Sequence, residues 1–263
     1  MTRLAWGSHG VRYFEAGVDR GVLYLPGQNG VPWNGLKAVN EAPTGGEPQP
    51  YYVDGFKYLN VASAEEYKAT LEAFTSPAEF AVCEGTASVH NGLFATQQPR
   101  KSFNLSYRTL VGNDAEGVDH GYKIHIVYNA LAAPAQRNHQ TTASGSSSPL
   151  GLSWSITTTP PKMTGLKPTA HFIIDSRFTP IGLMSQIEDI LYGSDDNEPY
   201  LPTATELIDI MNNYVESLTI TNLGNGWYQA EGSAVTMVSE TNFQLDHVAV
   251  SEPNNDGEFT ITY

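Results

Sequence analysis

The sequence predicts a mainly β fold with two short amphipathic helices, and three observations point to it. Gly (24), Tyr (14) and Pro (16) are plentiful while charged residues make up only 16% of the chain, a mixture of turn and strand formers rather than of long helices. Apolar side chains alternate with a period of two through residues 102–128 and again around Trp154. Helical periodicity stands out only in two short stretches after Thr179. At 263 residues the chain can bury one sizeable core with elaborations.

In chain order, residues 21–60 carry turn signals at Asn29-Gly30, Asn34-Gly35, Gly45-Gly46 and Asp54-Gly55, with five prolines between them, so a long extended loop is expected. Trp33, Tyr51, Tyr52, Phe56 and Tyr58 are large anchors that a free loop would be penalised for exposing, so they should pack on their own domain or on a neighbouring subunit. Phe103, Leu105, Tyr107, Thr109 and Val111 then share one strand face. Tyr122, Ile124, Ile126 and Tyr128 share another, opposite Lys123, His125 and Asn129, and the polar stretch 112–121 joins the two as a hairpin. Leu152, Trp154 and Ile156 form a third alternation, preceded by a Ser-rich loop at 136–149. A first helix is expected from an N-cap Thr179 with Pro180 at its first position, buried through Ile181, Met184, Ile187 and Leu191. A second opens on the capping box Thr203-Ala204-Thr205-Glu206 and buries Leu207, Ile210 and Met211. Strands return at Leu218 and Ile220, with turns at Asn225-Gly226 and Asp256-Gly257.

Fourteen Lys and Arg stand against 28 Asp and Glu, a net charge of −14, which disfavours tight binding to nucleic acid phosphates. The single Cys83 excludes an intrachain disulfide and reads as a small buried hydrophobe. No apolar signal core opens the chain and no run of eighteen apolar residues occurs, which predicts a protein made and kept in water, away from membranes. No Gly-x-Ser-x-Gly elbow, phosphate-cradling Gly-Lys-Ser/Thr loop or His-Glu-x-x-His pair is present, and no pair among the acidic residues is singled out for catalysis. His120 and His125, an odd number of strand residues apart, point to opposite faces. Asn113, Asp114, Glu116 and Asp119 lack the spacing of a calcium loop. The expectation is a non-catalytic protein without metal or cofactor.

Several stretches resemble the major tail tube proteins of long, non-contractile-tailed (siphovirus-type) phages, particularly those infecting actinobacteria. They are Gly17–Tyr24, Val31–Leu36, the aromatic run Asp54–Leu59, Glu66–Phe74 with Pro77, Phe80 and Cys83, and above all Lys101–Asp114 continuing through Asp119–His125. Pro168–Phe172, Asp175–Arg177, Glu188–Gly193 and Leu201–Thr203 extend the similarity. The resemblance implies a β-sandwich or half-barrel that closes a β-barrel on oligomerisation, six copies per ring, with rings stacked by long loops into the conduit for DNA ejection. The chain is expected to divide into a strand-rich tube core at 1–165 with a stacking loop at about 34–60, a helical segment at 166–214 and C-terminal strands at 215–263 that close the core or form an outer elaboration.

On this reading Trp33, Asn34, Tyr51, Tyr52, Asp54, Phe56 and Tyr58 are ring-stacking contacts. Glu65, Glu66, Glu72 and Asp119 are candidates for an acidic lumen past which genomic DNA moves without sticking. The implied partners are further copies of the chain and the tape-measure, tail terminator and tail-tip proteins. The implied location is the virion tail, assembled in the host cytoplasm. The alternative from a different class is a monomeric carbohydrate-binding β-sandwich using Trp33, Tyr51 and Tyr52.

Overall fold

The computed structural model describes residues 6–135, 137, 139, 141, 151–163 and 165–214, and the backbone of further strand segments between 219 and 262. β1 (Phe14–Tyr24) turns through β2 (Val31–Pro32) into β3 (Leu36–Glu41). Residues 42–66 then form an arm from β4 (Thr44–Gly45), β5 (Pro48–Val53), β6 (Phe56–Ala62) and β7 (Glu65–Glu66). β8 (Lys68–Ala73) pairs with β3, and a short 3-10 turn at Ala78–Val82 and a hairpin of β9 (Ala87–His90) and β10 (Leu93–Ala95) follow. Next come β11 (Phe103–Asn113), β12 (Gly117–Ala132), β13 (Leu152–Thr158), β14 (His171–Asp175), α1 (Ile181–Tyr192) and α2 (Ala204–Asn213). The last segments, β15 (Thr219–Gly224), β16 (Trp227–Glu231), β17 (Val235–Ser239), β18 (Asn242–Leu245), β19 (Ala249–Val250) and β20 (Ile261–Thr262), pair two by two with one another.

The molecule is mainly β with two helices and an open antiparallel sheet in the order β2-β1-β11-β12-β13-β8-β3, with β14 also paired to β12. The sheet curls. Glu41, at the end of edge strand β3, receives a 2.6 Å hydrogen bond from the Tyr107 hydroxyl of central strand β11, and Leu36 of β3 packs so closely on β1 that a Cβ on Gly21 would lie 2.7 Å from it. The concave interior is filled by Leu23, Phe103, Leu105, Val127, Leu71, Ile156, Trp154 and Trp33, with Phe80 plugging it. Phe80 meets Trp33, Phe103 and Trp154 at ring separations of 4.6, 5.1 and 5.3 Å, the two latter edge to face, the geometry that aromatic quadrupoles favour. Cys83 joins this core, and burial, with the neighbouring Glu84 charge, pushes its thiol up to about 12.

The opposite face of β1, β11 and β12 is covered by the helices. Ile124, Ile126 and Tyr128 of β12 pack with Val22, Tyr24 and Ile174 against Leu183, Met184, Ile187 and Leu191 of α1 and Ala204 and Leu207 of α2. Both faces of β11 and β12 are therefore buried, where the alternation alone predicts half-buried strands. Ser106 is fully buried against the Tyr24 hydroxyl, and His125 is buried on the inner face. Polar groups on the helix side are paired across elements: Arg108 donates to both oxygens of Asp19 at 2.7 and 2.6 Å, holding that carboxyl below its usual range. Arg20 reaches Glu188 of α1 at 3.2 Å.

β12 changes partner halfway. Residues 123–127 pair with β14 and residues 130–132 with β13, and between them Asn129 adopts φ 49°. Three residues of β12 there span two of β11, a bulge that reverses side-chain parity so that His125, Val127, Ala130 and Ala132 all face inward. Asn129 suits the left-handed position, and its side-chain amide donates to the Thr159 carbonyl.

Several expectations are corrected. Residues 21–60 are not an extended loop but strands, because Pro48 and Pro50 lie in a hairpin with free outer edges, where a missing N–H costs nothing. The polar stretch 112–121 is mostly strand, leaving only 114–116 as the link. Asn113 closes that link by accepting from the Ala115 and Glu116 amides. Pro180, extended at ψ 140°, is the N-cap of α1, while Thr179 donates to the Asp175 carbonyl. Ile181, the first residue of α1, is 78% exposed, and Leu183 is buried with Met184, Ile187 and Leu191 in its place. The Thr203 capping box forms as expected, with Leu207 buried, but Met211 in the last turn is exposed. The Ser-rich run at 144–148 and the turns at 225–226 and 256–257 lie outside the described residues.

Truncating the plug should show where stability resides. Phe80→Ala is expected to lower unfolding free energy by about 3–5 kcal/mol, read as a fall in the urea midpoint, whereas Ile181→Ser should stay within about 0.5 kcal/mol of the parent. Equal midpoints for the two variants would contradict this packing.

Candidate functional site

The arm carries apolar surface without cover. Asp54 and Gly55 both take positive φ, 51° and 81°, the requirement of a two-residue type I′ turn, so the chain reverses tightly between β5 and β6. At its root Gly45 passes the opposite strand so closely that a Cβ would lie 2.3 Å from the Ala64 carbonyl oxygen, a position only glycine can fill. Beyond this root, every residue of β5 and β6 is exposed, and among the described residues the two strands pair only with each other.

The register sorts these side chains. Gln49 faces Val61, Tyr51 faces Leu59 and Val53 faces Phe56, so that Tyr51, Val53, Phe56, Leu59 and Val61 gather on one side of the ribbon. Tyr52 opposite Lys57 and Pro50 opposite Asn60 make the other side mixed. Tyr58 occupies the bulge between the Tyr51 and Tyr52 pairings. Tyr51, Val53, Phe56, Leu59 and Val61 are between 41% and 79% exposed, so this side of the arm is an apolar strip open to solvent.

The expected contact residues therefore separate. Tyr51, Tyr52, Asp54, Phe56 and Tyr58 stand together on the arm, whereas Asn34 is exposed on the body, in the turn leading to β3. Trp33 departs from its expected role. At 3% exposure, with its indole N–H on the Thr75 carbonyl and its ring against Phe80 and Trp154, it is a core residue with no side-chain surface to offer a neighbour.

The acidic candidates also separate. Glu65 and Glu66 are exposed at the arm's root, paired with Gly45 and Thr44. Glu72 is on β8 with its carboxylate engaged by Lys37 and Asn40 at 3.3 and 3.0 Å. Asp119 is exposed near the β11–β12 link, at the opposite end of β12 from the pairing with β13. At about 3.3 Å per residue roughly 40 Å of strand intervenes.

A second constellation escapes sequence reasoning. His120 does not meet His125: its Nδ1 lies 2.7 Å from Glu116. His125 and His171 are instead diagonal neighbours on the inner faces of paired strands β12 and β14, with His125 Nδ1 3.1 Å from His171 Nε2. Glu41 Oε1 lies 3.6 Å from the former atom and 3.9 Å from the latter. The Tyr107 ring stacks on His125 at 4.6 Å and 5°, and Tyr67 lies against His171 at 4.5 Å. Burial lowers the affinity of both imidazoles for a proton, taking His125 to about 4. Both rings are consequently neutral at pH 7 and form no ion pair with Glu41 there. Residues 41, 125 and 171 share no sequence motif, and only the curl of the sheet brings them together.

No family model matches the sequence, and no curated protein matches it. Among solved structures the chain is similar to a chain of the anti-feeding prophage baseplate, at TM-score 0.33 and 11% identity over 66% of this chain and 97% of that one. It is also similar to the sheath/tube terminator of the PVC extracellular contractile injection system, at 0.31 and 10% over 65% and 99%. A third is the anti-feeding prophage tube-terminating cap, at 0.30 and 12% over 67% and 97%. At these scores the likeness assigns neither the fold nor the function.

Proposed function

We propose that the chain is a non-catalytic, self-assembling subunit of a phage-type tail tube, and that the observation carrying this reading is the unburied apolar strip of the arm. A ribbon that displays Tyr51, Val53, Phe56, Leu59 and Val61 on one side finds no cover among the described residues of its own subunit. A second copy of the same chain is the occupant that fits, because the sheet is also open at its ends, on β2 and β3. Closing such sheets side by side into rings and stacking the rings through the arm would satisfy both surfaces in one assembly. The sequence resemblance at 54–59 and 101–125 supports the same reading. It extends the proposal to six-copy rings of siphovirus type, to tape-measure, terminator and tail-tip partners, and to a tail built in the host cytoplasm through whose lumen DNA passes.

On this reading the unpaired strand edges make the joints. β11 and the inner half of β12 have both edges paired, so they supply the wall rather than its joints. The alternative of glycan binding is weakened on two counts. Trp33 is in the core, and Tyr51 and Tyr52, consecutive in a strand, point to opposite sides of the ribbon and cannot form one stacking platform.

Replacing Phe56 and Tyr58 with Asp should leave the unfolding free energy of the monomer within about 0.5 kcal/mol of the parent yet abolish rings and tubes in negative-stain images. Tubes formed as readily by this variant would remove the arm from the assembly mechanism. The acidic lumen is tested separately. Tubes carrying Glu65→Lys and Glu66→Lys should retain double-stranded DNA at low salt and release it as salt rises, while parent tubes should not retain it. Charge-reversed tubes that ignore DNA would place these residues away from the lumen.

A further inference from the structure

We propose that Glu41, His125 and His171 form a three-ligand binding site for a divalent transition metal, zinc being the best match, that pins the root of the arm to the sheet. The three donor atoms, Glu41 Oε1, His125 Nδ1 and His171 Nε2, are separated by 3.1, 3.6 and 3.9 Å. A point equidistant from all three lies about 2.1 Å from each, within the range of zinc bonds to imidazole nitrogen and carboxylate oxygen. The donors thus stand at bonding radius from a common centre, and a small outward shift of the ion leaves a fourth, solvent-facing position on the side of the exposed Glu41.

The surroundings hold the ligands as a metal requires. Thr109 Oγ1 lies 3.0 Å from His125 Nε2, and accepting the proton of that nitrogen leaves Nδ1 with its lone pair toward the centre. The Tyr107 hydroxyl donates to Glu41 Oε1 at 2.6 Å, and the Tyr67 hydroxyl lies 3.3 Å from that of Tyr107, so the carboxylate is held in place beside the two imidazoles. The rings of these two tyrosines lie against the two imidazoles and fix their planes. Two nitrogens and one oxygen suit zinc and its first-row neighbours, while calcium and magnesium call for six or more oxygens.

The three ligands come from three strands. Glu41 is the last residue of β3, immediately before the arm, while His125 and His171 lie on β12 and β14. An ion there links the point where the arm leaves the body to the central strands. This inference stands independently of the tube reading, since Glu41, His125 and His171 lie outside the arm's apolar strip.

The test uses the full chain, stripped with EDTA, dialysed, and titrated with zinc chloride by calorimetry and with cobalt chloride by visible absorption. The expected result is one ion per chain, a cobalt d–d band, and a rise in thermal midpoint with zinc. Glu41→Gln, whose side chain is partly exposed and whose fold is checked by circular dichroism, should weaken zinc binding at least tenfold and remove most of the midpoint rise. His171→Asn should abolish the cobalt band. No zinc uptake by the parent chain, or uptake unchanged in both Glu41→Gln and the double variant with His171→Asn, would overturn the proposal.

Discussion

Burial of both faces of β11 and β12 organises the rest of this molecule. On the inner side Phe103, Leu105, Tyr107 and Val127 need cover, and the sheet supplies it by curling until β8, β13 and β3 lie across them with Phe80 as the plug. On the outer side Ile124, Ile126 and Tyr128 need it equally, and α1 and α2 provide it through Met184, Ile187, Leu191 and Leu207. One strand cannot serve both neighbours without a break in register. The bulge at Asn129 is that break, transferring β12 from β14 to β13 while keeping Ala130 and Ala132 inside. Surface burial at roughly 25 cal/mol per Å² favours such closure on either side, so the curl, the helices and the bulge form one solution.

The arm lies outside this solution. Its strands are stabilised by their own ladder and by the Asp54-Gly55 turn, not by packing, and an isolated two-stranded ribbon is marginal in water. A ribbon with an uncovered apolar side gains most from burial against another molecule, which is why the proposed assembly is placed there. The histidine pair lies at the polar end of the interior, next to the strand from which the arm departs, so the root of the arm is tied to Tyr107 whether or not an ion is bound.

Much of this was legible in the residues. The alternations at 103–111, 122–128 and 152–156, the two helices, the Thr203 capping box and the buried Cys83 follow from local pattern, and the turn signal at Asp54-Gly55 marked a reversal where one forms. What was not legible depends on distant parts of the chain. Trp33 sits in a segment dense with turn residues and looks like a loop anchor, but Thr75, Phe80 and Trp154 claim it. His125 alternates with apolar residues and so reads as solvent-facing, a reading valid only for a sheet covered on one side. Glu41 and His171 carry no signal of their own, because curvature, which depends on bulges and on what fills the concave face, decides that they meet.

The account's central claim is that the apolar strip of the arm is buried by another copy of the chain. Hydrogen–deuterium exchange across a concentration series that spans assembly tests it most directly. The account predicts that amides 48–62 exchange rapidly in dilute protein and become protected on assembly, while those of β11 and β12 are protected throughout. An arm that exchanges equally fast in assembled and dilute protein, or a chain that sediments as a monomer at every concentration, would contradict it.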